Sequence, residues 1–213
     1  MRLLGVYGAS GCGRGIMPLV KGMLGENDRA VFIDDGVNAA LVNGKECLSW
    51  EDFLGYDAPE RYVCLAIADG TIREKLALKC CGNGIEFFSP RAKNCVIMDE
   101  VLVGEGAILS PFVTLTSNIT IGRHFHANLY SYVEHDCVIG DFVTFAPGAK
   151  CNGNVVIEDH VYIGSGAIIR QGRPGNPLII GEGATVGMGA VITKNVPAGA
   201  TVIGNPARSM EPK

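Results

Sequence analysis

Basic residues are few. Eighteen lysines and arginines stand against 22 acidic residues in a chain of 213, leaving a net charge of −4 and no basic stripe, so nothing here offers an electrostatic footprint for nucleic acid. Long apolar runs are missing too. None approaches the roughly 18 residues of a membrane span, and Met1-Arg-Leu-Leu runs into a strand pattern without an apolar leader or cleavage site, so no span and a cytoplasmic setting are expected. Cysteine is plentiful at eight, but no Cys-x-x-Cys pair and no secretory signal accompany it. Reduced, mostly buried thiols are expected rather than a disulfide framework. Histidine is scarce: four residues, at 124, 126, 135 and 160, carry all the imidazole chemistry available. The length allows one or two domains.

A strict period of six residues is present over residues 103–197. Stepping by six from Val103 gives Leu109, Leu115, Ile121, Ala127, Val133, Ile139, Phe145, Cys151, Ile157, Ile163 and Ile169, every one apolar. Ile180, Val186 and Ile192 resume the count after the loop 170–178. Glycine follows the anchor at 122, 140, 164, 181 and 187, and alanine often sits four places after it, as at 149, 167 and 184. Neither the 3.6 period of a helix nor the 2.0 period of a strand stays in phase with six. A short strand followed by a tight turn does, and three such units close one triangular coil whose anchors stack on those of the next. Twelve unbroken units predict four coils and the resumed set a fifth. With the ending Val202-Ile-Gly-Asn-Pro-Ala-Arg208, the pattern resembles the left-handed parallel β-helix of the hexapeptide-repeat acyltransferases.

The first 90 residues read differently. Leu3-Leu-Gly-Val-Tyr7 is a short strand ending in Gly8-Ala-Ser-Gly-Cys-Gly-Arg14, and a helical pattern follows through Ile16, Leu19, Val20 and Met23. Further strands are expected at 29–33, 62–67 and 85–88, with a short helix near 50–54, a longer one over 71–81 and a loop between 34 and 50. Alternation of strand and helix predicts a small parallel α/β domain over 1–90, with the β-helix over 91–213. The glycine loop opens a helix, so the N–H groups of Ser10, Gly11 and Cys12 would face a phosphate at the positive helix end. Asp34 and Asp35 end the second strand, where a carboxylate accepts from a ribose hydroxyl. One short half predicts a single nucleotide rather than a dinucleotide.

Within the hexads, His135 lies two places past the anchor Val133 and next to Asp136, on an expected corner. Imidazole takes a proton near neutral pH, and a neighbouring carboxylate orients one ring nitrogen and raises the basicity of the other. His124, His126 and His160 read as polar corner residues, and Cys137 as an inward, structural thiol.

Asn128, then Val133-Glu-His-Asp-Cys-Val-Ile-Gly140, then Pro147-Gly-Ala-Lys-Cys-Asn-Gly-Asn154, together with Tyr7-Gly-Ala-Ser-Gly11 and the Asp34-Asp35 strand end, resemble the sugar acyltransferases that include the bacillosamine and perosamine N-acetyltransferases and the sialic-acid O-acetyltransferases. The resemblance covers nearly the whole chain and implies a mini-Rossmann first domain. It also implies acetyl-CoA as acyl donor, a nucleotide-linked amino sugar as acceptor, and a homotrimer with the donor between subunits. Carried over residue by residue, His135 is the general base, Asp136 tunes it and Asn128 belongs to the catalytic set. Ser10, Gly11, Cys12, Asp34, Asp35 and Asp69 would bind the nucleotide sugar; Thr144, Gly153, Ser165 and Met188 would line the donor groove, with the Gly153 N–H polarising the thioester. Three positions depart from the family: Cys12 stands where histidine is common, Ala68-Asp69 replaces Gly-Asn, and Thr144 replaces a second histidine. N-acetylation is the leading expectation and O-acetylation its neighbour. A zinc lyase of the β-helical kind would need three imidazoles around an open metal position, and the spacing of His124, His126 and His135 matches none. No metal is expected.

Overall fold

The computed structural model of the protein describes residues 1–37 and 39–210. By their contacts they form two compact units, one of Met1–Ala68 with Ile72–Pro90, the other joining Asp69–Thr71 to the chain from Arg91 onward.

The first unit is a six-stranded sheet with its strands in the order β3-β4-β2-β1-β5-β6. Its central strand β1 (Arg2–Tyr7) pairs in parallel with β2 (Arg29–Ile33) on one side and β5 (Glu60–Leu65) on the other. Outside these lie β6 (Glu86–Phe87), parallel to β5, and β4 (Lys45–Leu48), parallel to β2. Leu3, Leu4, Val6 and Tyr7 are all buried, as a strand covered on both faces requires. Helix α1 (Gly11–Lys21) buries Gly13, Ile16, Met17 and Val20, one i, i+3, i+4, i+7 stripe. Gly13 is essential to that packing, because a Cβ there would lie 1.8 Å from the Gly8 carbonyl oxygen. Helices α2 (Trp50–Gly55) and α3 (Gly70–Gly82) complete the alternation. The expected loop between 34 and 50 contains a hairpin instead: β3 (Leu41–Val42) pairs antiparallel with β4. Asn43 and Gly44 form its turn with φ of 47° and 70°. Asn-Gly is the sequence signature of that turn, since both central residues need positive φ.

The second unit is a parallel β-helix, a triangular prism with three sheets as faces. Strands on the first face run from Val96–Ile97 to Val191–Ile192, on the second from Val101–Val103 to Leu178–Ile180, and on the third from Ile108–Leu109 to Arg208–Ser209. Partners in neighbouring coils are 18 residues apart, as in Thr114↔Tyr132, Ile119↔Cys137 and His126↔Thr144. The anchors from Leu109 to Ile169 are all buried, and Ala149, Ala167 and Ala184 fill the interior beside them at 0 % exposure. Val103 departs from the expectation at 37 % exposed. Its strand ends the second face and pairs on one side alone, so one coil covers it instead of two. Regular strands start one unit earlier than expected, at Val96–Ile97. Five full coils therefore precede a partial sixth, which a bridge from Val196 to Ile180 continues and the antiparallel strand Arg208–Ser209 closes.

Corners are turned by one backbone device. The residue three places after an anchor takes a left-handed conformation at Phe112, Asn118, His124, Tyr130, Asp136, Phe142, Asn154 and His160, with φ between 55° and 65°. Gly148 and Gly166 hold the same slot. Residues 170–177 leave the coil, and pairing resumes at Val155↔Leu178.

Candidate functional site

The prism has three edges, and the slots just past each anchor decide what each edge presents. His135 lies on the first edge, between the first and second faces, two places after Val133. Asp136 follows in the left-handed slot with φ of 58°. The His135 Nδ1 and Asp136 Oδ2 are 2.7 Å apart, and both side chains are about half exposed. This hydrogen bond is the largest cause holding the imidazole above its ordinary pKa, and the same bond holds the Asp136 carboxyl below its own. Asn118, one coil earlier in the same slot, donates from Nδ2 to the other carboxylate oxygen at 3.2 Å. Sequence reasoning missed Asn118. Its signal was the 18-residue series Asn118, Asp136, Asn154.

Gly153 sits one coil beyond His135 on that edge. A Cβ there would meet the ring at 2.5 Å from Cε1 and 2.6 Å from Nε2, so glycine leaves the space that the imidazole occupies. Its carbonyl accepts from the Gly172 N–H at 2.9 Å, while its own N–H donates to nothing among the described residues.

The remaining expected donor-groove residues lie elsewhere on the prism. Thr144 is buried in the third face. Ser165 and Met188 occupy the third edge, between the third and first faces, with Met188 81 % exposed. Asn128 also stands at that edge, its Oδ1 accepting from the Leu129 N–H at 2.8 Å. Within one chain, then, Asn128, Ser165 and Met188 do not share an edge with His135 and Gly153.

The other histidines differ from solvated corner residues. His124 and His126 are buried. His124 stacks on Phe142 with centroids 5.0 Å apart, and Phe142 on His160 at 5.3 Å, a ladder along the second edge. No three metal-ligating side chains converge among the described residues. All eight cysteines are free; four are buried, three half-buried, and Cys81 exposed. Cys137 faces inward with no exposure, its Sγ 3.4 Å from the Asn152 carbonyl oxygen. Its hydrogen bond to Cys151, together with burial, pushes the Cys151 thiol well up.

In the first unit, β1 lies between β2 and β5, so successive connections leave it in opposite directions, and the crevice at its carboxyl end is a topological switch point. Ser10, Gly11 and Cys12 open α1 there, and the Ser10 side chain makes no cap bond. The Asp34 carboxylate accepts from the Ala9 N–H at 2.8 Å and the Gly36 N–H at 3.0 Å, bracing the glycine loop. Asp35 accepts from the Trp50 N–H at 2.7 Å and from the Tyr7 hydroxyl at 3.2 Å, with the Lys79 ammonium 3.4 Å away. The Trp50 N–H is the largest of the influences that hold its carboxyl low. Both carboxylates are thus committed to protein donors. Lys79, 4.8 Å from the Trp50 ring centre, was not anticipated, because no local pattern links residues 7, 35, 50 and 79. Burial raises the Cys12 thiol. Asp69 is exposed ahead of α3, and the fully buried Arg73 donates to the Ile67 carbonyl at 2.7 Å, fixing the segment between them.

No helix among the described residues is long and apolar enough to cross a membrane. No family model matches the chain. GDP-perosamine N-acetyltransferase of Escherichia coli O157:H7 is 52% identical over 215 residues, spanning 99% of this chain and 97% of that protein. Among solved structures, WeeI from Acinetobacter baumannii AYE is 56% identical with a TM-score of 0.96, covering 99% of this chain and 100% of that one. The acetyltransferase domain of PglB from Neisseria gonorrhoeae FA1090, in complex with acetyl coenzyme A, is 28% identical with a TM-score of 0.87, covering 98% and 99%.

Proposed function

The chain belongs to the hexapeptide-repeat sugar acyltransferases, and from that premise we propose that it moves the acetyl group of acetyl-CoA onto the amine of GDP-perosamine, with His135 as general base. The reaction class is N-acetylation of a nucleotide-linked amino sugar with acetyl-CoA as cosubstrate. The acceptor's identity rests on the 52% relative, and the base on the 2.7 Å contact between His135 Nδ1 and Asp136.

That contact sets the chemistry. With its Nδ1–H donated to Asp136, neutral His135 keeps a lone pair on Nε2. Nε2 takes a proton from the amine as nitrogen adds to the thioester carbonyl. The Gly153 N–H donates to the oxygen on which charge develops, a preorganised donor worth about 10²- to 10³-fold in rate. The carbon–sulfur bond then breaks, and the imidazolium returns a proton to the leaving thiolate. Transfer is direct, without an acyl-enzyme.

Ser10, Gly11 and Cys12 would hold the nucleotide's phosphates at the opening of α1, in a short nucleotide-binding half of mini-Rossmann type over residues 1–90. Because Asp34 and Asp35 already accept from backbone N–H groups, their part is to shape the loop, and Asp69 is the carboxylate assigned to the sugar or base. A homotrimer accounts for the separation of donor-groove residues: Gly153 on the first edge of one subunit and Ser165 with Met188 on the third edge of the next would face one groove. Exposed apolar residues on the prism, Leu102, Val138, Phe112 and Tyr130, suit such packing. A cytoplasmic setting fits the eight free thiols.

The test is CoA-thiol release from acetyl-CoA against GDP-perosamine and against UDP-, CMP- and dTDP-linked amino sugars, with His135→Ala beside wild type. Turnover with GDP-perosamine that falls about 10²- to 10⁴-fold in the variant is expected. Turnover with another nucleotide sugar would overturn the acceptor assignment, and a fully active variant would overturn the base.

A further inference from the structure

The carboxylate that holds His135 is itself held from the coil before. Asp136 follows the imidazole in sequence, and both side chains are about half exposed, so no packed wall fixes how the carboxylate turns. Two hydrogen bonds do. One oxygen sits 2.7 Å from His135 Nδ1, and the other accepts from Asn118 Nδ2 at 3.2 Å. An ionised carboxylate only accepts, so the Asn118 amide must present its nitrogen there and not its oxygen.

The backbone brings the two side chains into register. Ile119 pairs with Cys137, the Asp136 N–H donates to the Ser117 carbonyl at 3.1 Å, and the Asn154 N–H donates to the His135 carbonyl at 3.0 Å. Asn118 and Asp136 therefore hold equivalent positions one coil apart, about 4.8 Å, with φ of 57° and 58°. Left-handed backbone by itself favours asparagine, but that preference does not account for residue 118. Phe112, His124, Tyr130, Phe142 and His160 take the same conformation at the other edges. Along this edge the slot reads Glu100, Asn118, Asp136, Asn154. An amide at 118 separates the carboxylates of Glu100 and Asp136 and gives the second a donor in place of a like charge.

How the carboxylate turns decides which ring nitrogen carries the proton. A neutral imidazole has one N–H, and the hydrogen bond made by one nitrogen sets the state of the other. With Asp136 turned to Nδ1, the proton stays there and Nε2 keeps its lone pair. A carboxylate free to turn to solvent lets the proton settle on Nε2, which then cannot act as a base. The charged and titratable groups facing the ring are Asp136, Glu134 and the buried Cys137 thiol of its own coil. The neighbouring coils present uncharged Ser117 and Asn118 on one side and Gly153 and Asn154 on the other, with Asp99 and Glu100 two coils back and Arg170 two coils on. The His135 bond first, and the Asn118 bond after it, hold the Asp136 carboxyl below its ordinary range.

We propose that Asn118 is a positioning residue: it locks the rotation of the Asp136 carboxylate and, through it, the His135 tautomer whose Nε2 is free to take the acceptor's proton. This role rests on the reading of His135 as general base.

The experiment follows the His135 ring nitrogens by 15N NMR across pH in wild type, Asn118→Gly and Asn118→Asp, with His135→Ala to assign the signals. It is paired with kcat/KM against pH and with KM for acetyl-CoA and for the nucleotide sugar. Glycine keeps the left-handed backbone and deletes the donor, while aspartate keeps the shape and replaces the donor with a charge. In Asn118→Gly the ring shifts move toward a mixture of tautomers and the acid limb moves to lower pH. Its plateau kcat falls about two- to fivefold, the worth of one ordinary hydrogen bond, with both KM values unchanged. In Asn118→Asp a second negative charge favours the imidazolium, so the ring titrates, and the acid limb lies, at higher pH. A ring that keeps its wild-type tautomer and titration in both variants overturns the proposal even if activity falls. A raised KM for either substrate in Asn118→Gly puts Asn118 in contact with substrate and overturns it too. A fully active His135→Ala protein, with the ring responses as expected, removes the base reading and leaves the link from Asn118 to the imidazole standing.

Discussion

Along the first edge of the prism the residues two and three places past successive anchors are Ser117 and Asn118, His135 and Asp136, Gly153 and Asn154; along the second they are Arg123 and His124, Asp141 and Phe142, Asp159 and His160. The backbone is the same at both, with the third residue left-handed in every case. Side chains make the difference. On the second edge the left-handed slot is aromatic, the rings stack coil on coil, and the slot before it holds an ion ladder in which Arg123 grips Asp141 at 2.6 Å and the Asp141 N–H reaches Asp159 at 2.7 Å. On the first edge the left-handed slot is small and polar, and the slot before it passes from serine to histidine to glycine. The imidazole then has a carboxylate beside it and an open glycine one coil on. One repeat thus yields a packed aromatic edge and an open polar edge, and a histidine's surroundings depend on which slot it fills.

Truncating the packed edge should produce the largest effect. Phe142 is buried between two imidazoles, so Phe142→Ala leaves a cavity and a broken stack, costing about 3–5 kcal/mol of stability. Chemical denaturation would show this as a lowered midpoint, with turnover per folded molecule unchanged. A large fall in kcat at full folding would mean that the second edge takes part in the chemistry.

Gly153→Ala reverses the pattern. The added methyl would lie 2.5 Å from His135 Cε1, and the half-exposed ring can swing outward, so stability barely changes. The displaced base should lower kcat about 10²-fold or more, since a misplacement of about 1 Å costs that much. Steady-state kinetics beside a melting curve separates the two substitutions. Wild-type kcat in Gly153→Ala would detach the glycine from the reaction.

Asp136→Asn tests the first edge more finely. Because its hydrogen bond raises the His135 pKa, the base in wild type becomes available only as pH climbs past a value above the ordinary 6.5 or so. Removing the carboxylate lowers that pKa, so the acid limb of the kcat/KM profile moves to lower pH. The plateau falls about tenfold as the ring loses its orienting partner. An unmoved limb would show that the carboxylate does not tune the imidazole.

The anchors and corner slots were legible because a solenoid is nearly one-dimensional: counting by six places Val133 inside and His135 on an edge with no knowledge of distant contacts. The same count explains what was missed. Residues 170–177 break the phase, so their course has no linear signature. Val103 obeys the period but lacks a second covering coil, a fact about the end of a stack that the period does not encode. In the first unit the glycine loop and the strand ending in Asp34-Asp35 were visible, yet the targets of those carboxylates, the Ala9 and Trp50 N–H groups, come from chain segments whose approach depends on tertiary packing. The hairpin at Asn43-Gly44 was readable from its dipeptide alone. Of the expected donor-groove residues, Gly153 fell on the first edge, Ser165 and Met188 on the third and Thr144 inside the third face, an arrangement that the proposed homotrimer would gather from two chains.

The smallest effect is expected at Cys137, next in sequence to the dyad and the obvious candidate for an acyl-enzyme nucleophile. Its thiol points into the prism with no exposed surface and interacts with Cys151 and the carbonyls of Asn152 and His135, at 3.4 and 3.5 Å. A thioester carbon cannot reach it unless the coil opens, and opening the coil breaks strand pairs on both sides. Serine fits the same space, and its hydroxyl can donate to either carbonyl, so Cys137→Ser should keep kcat within about threefold and lose about 1 kcal/mol of stability or less. Single-turnover kinetics with acetyl-CoA in the absence of acceptor sharpens the point: direct transfer releases no burst of CoA in wild type or variant. A burst in wild type that disappears in a folded Cys137→Ser protein would replace direct transfer with a two-step route through the thiol, and would carry the chemistry from the edge into the core.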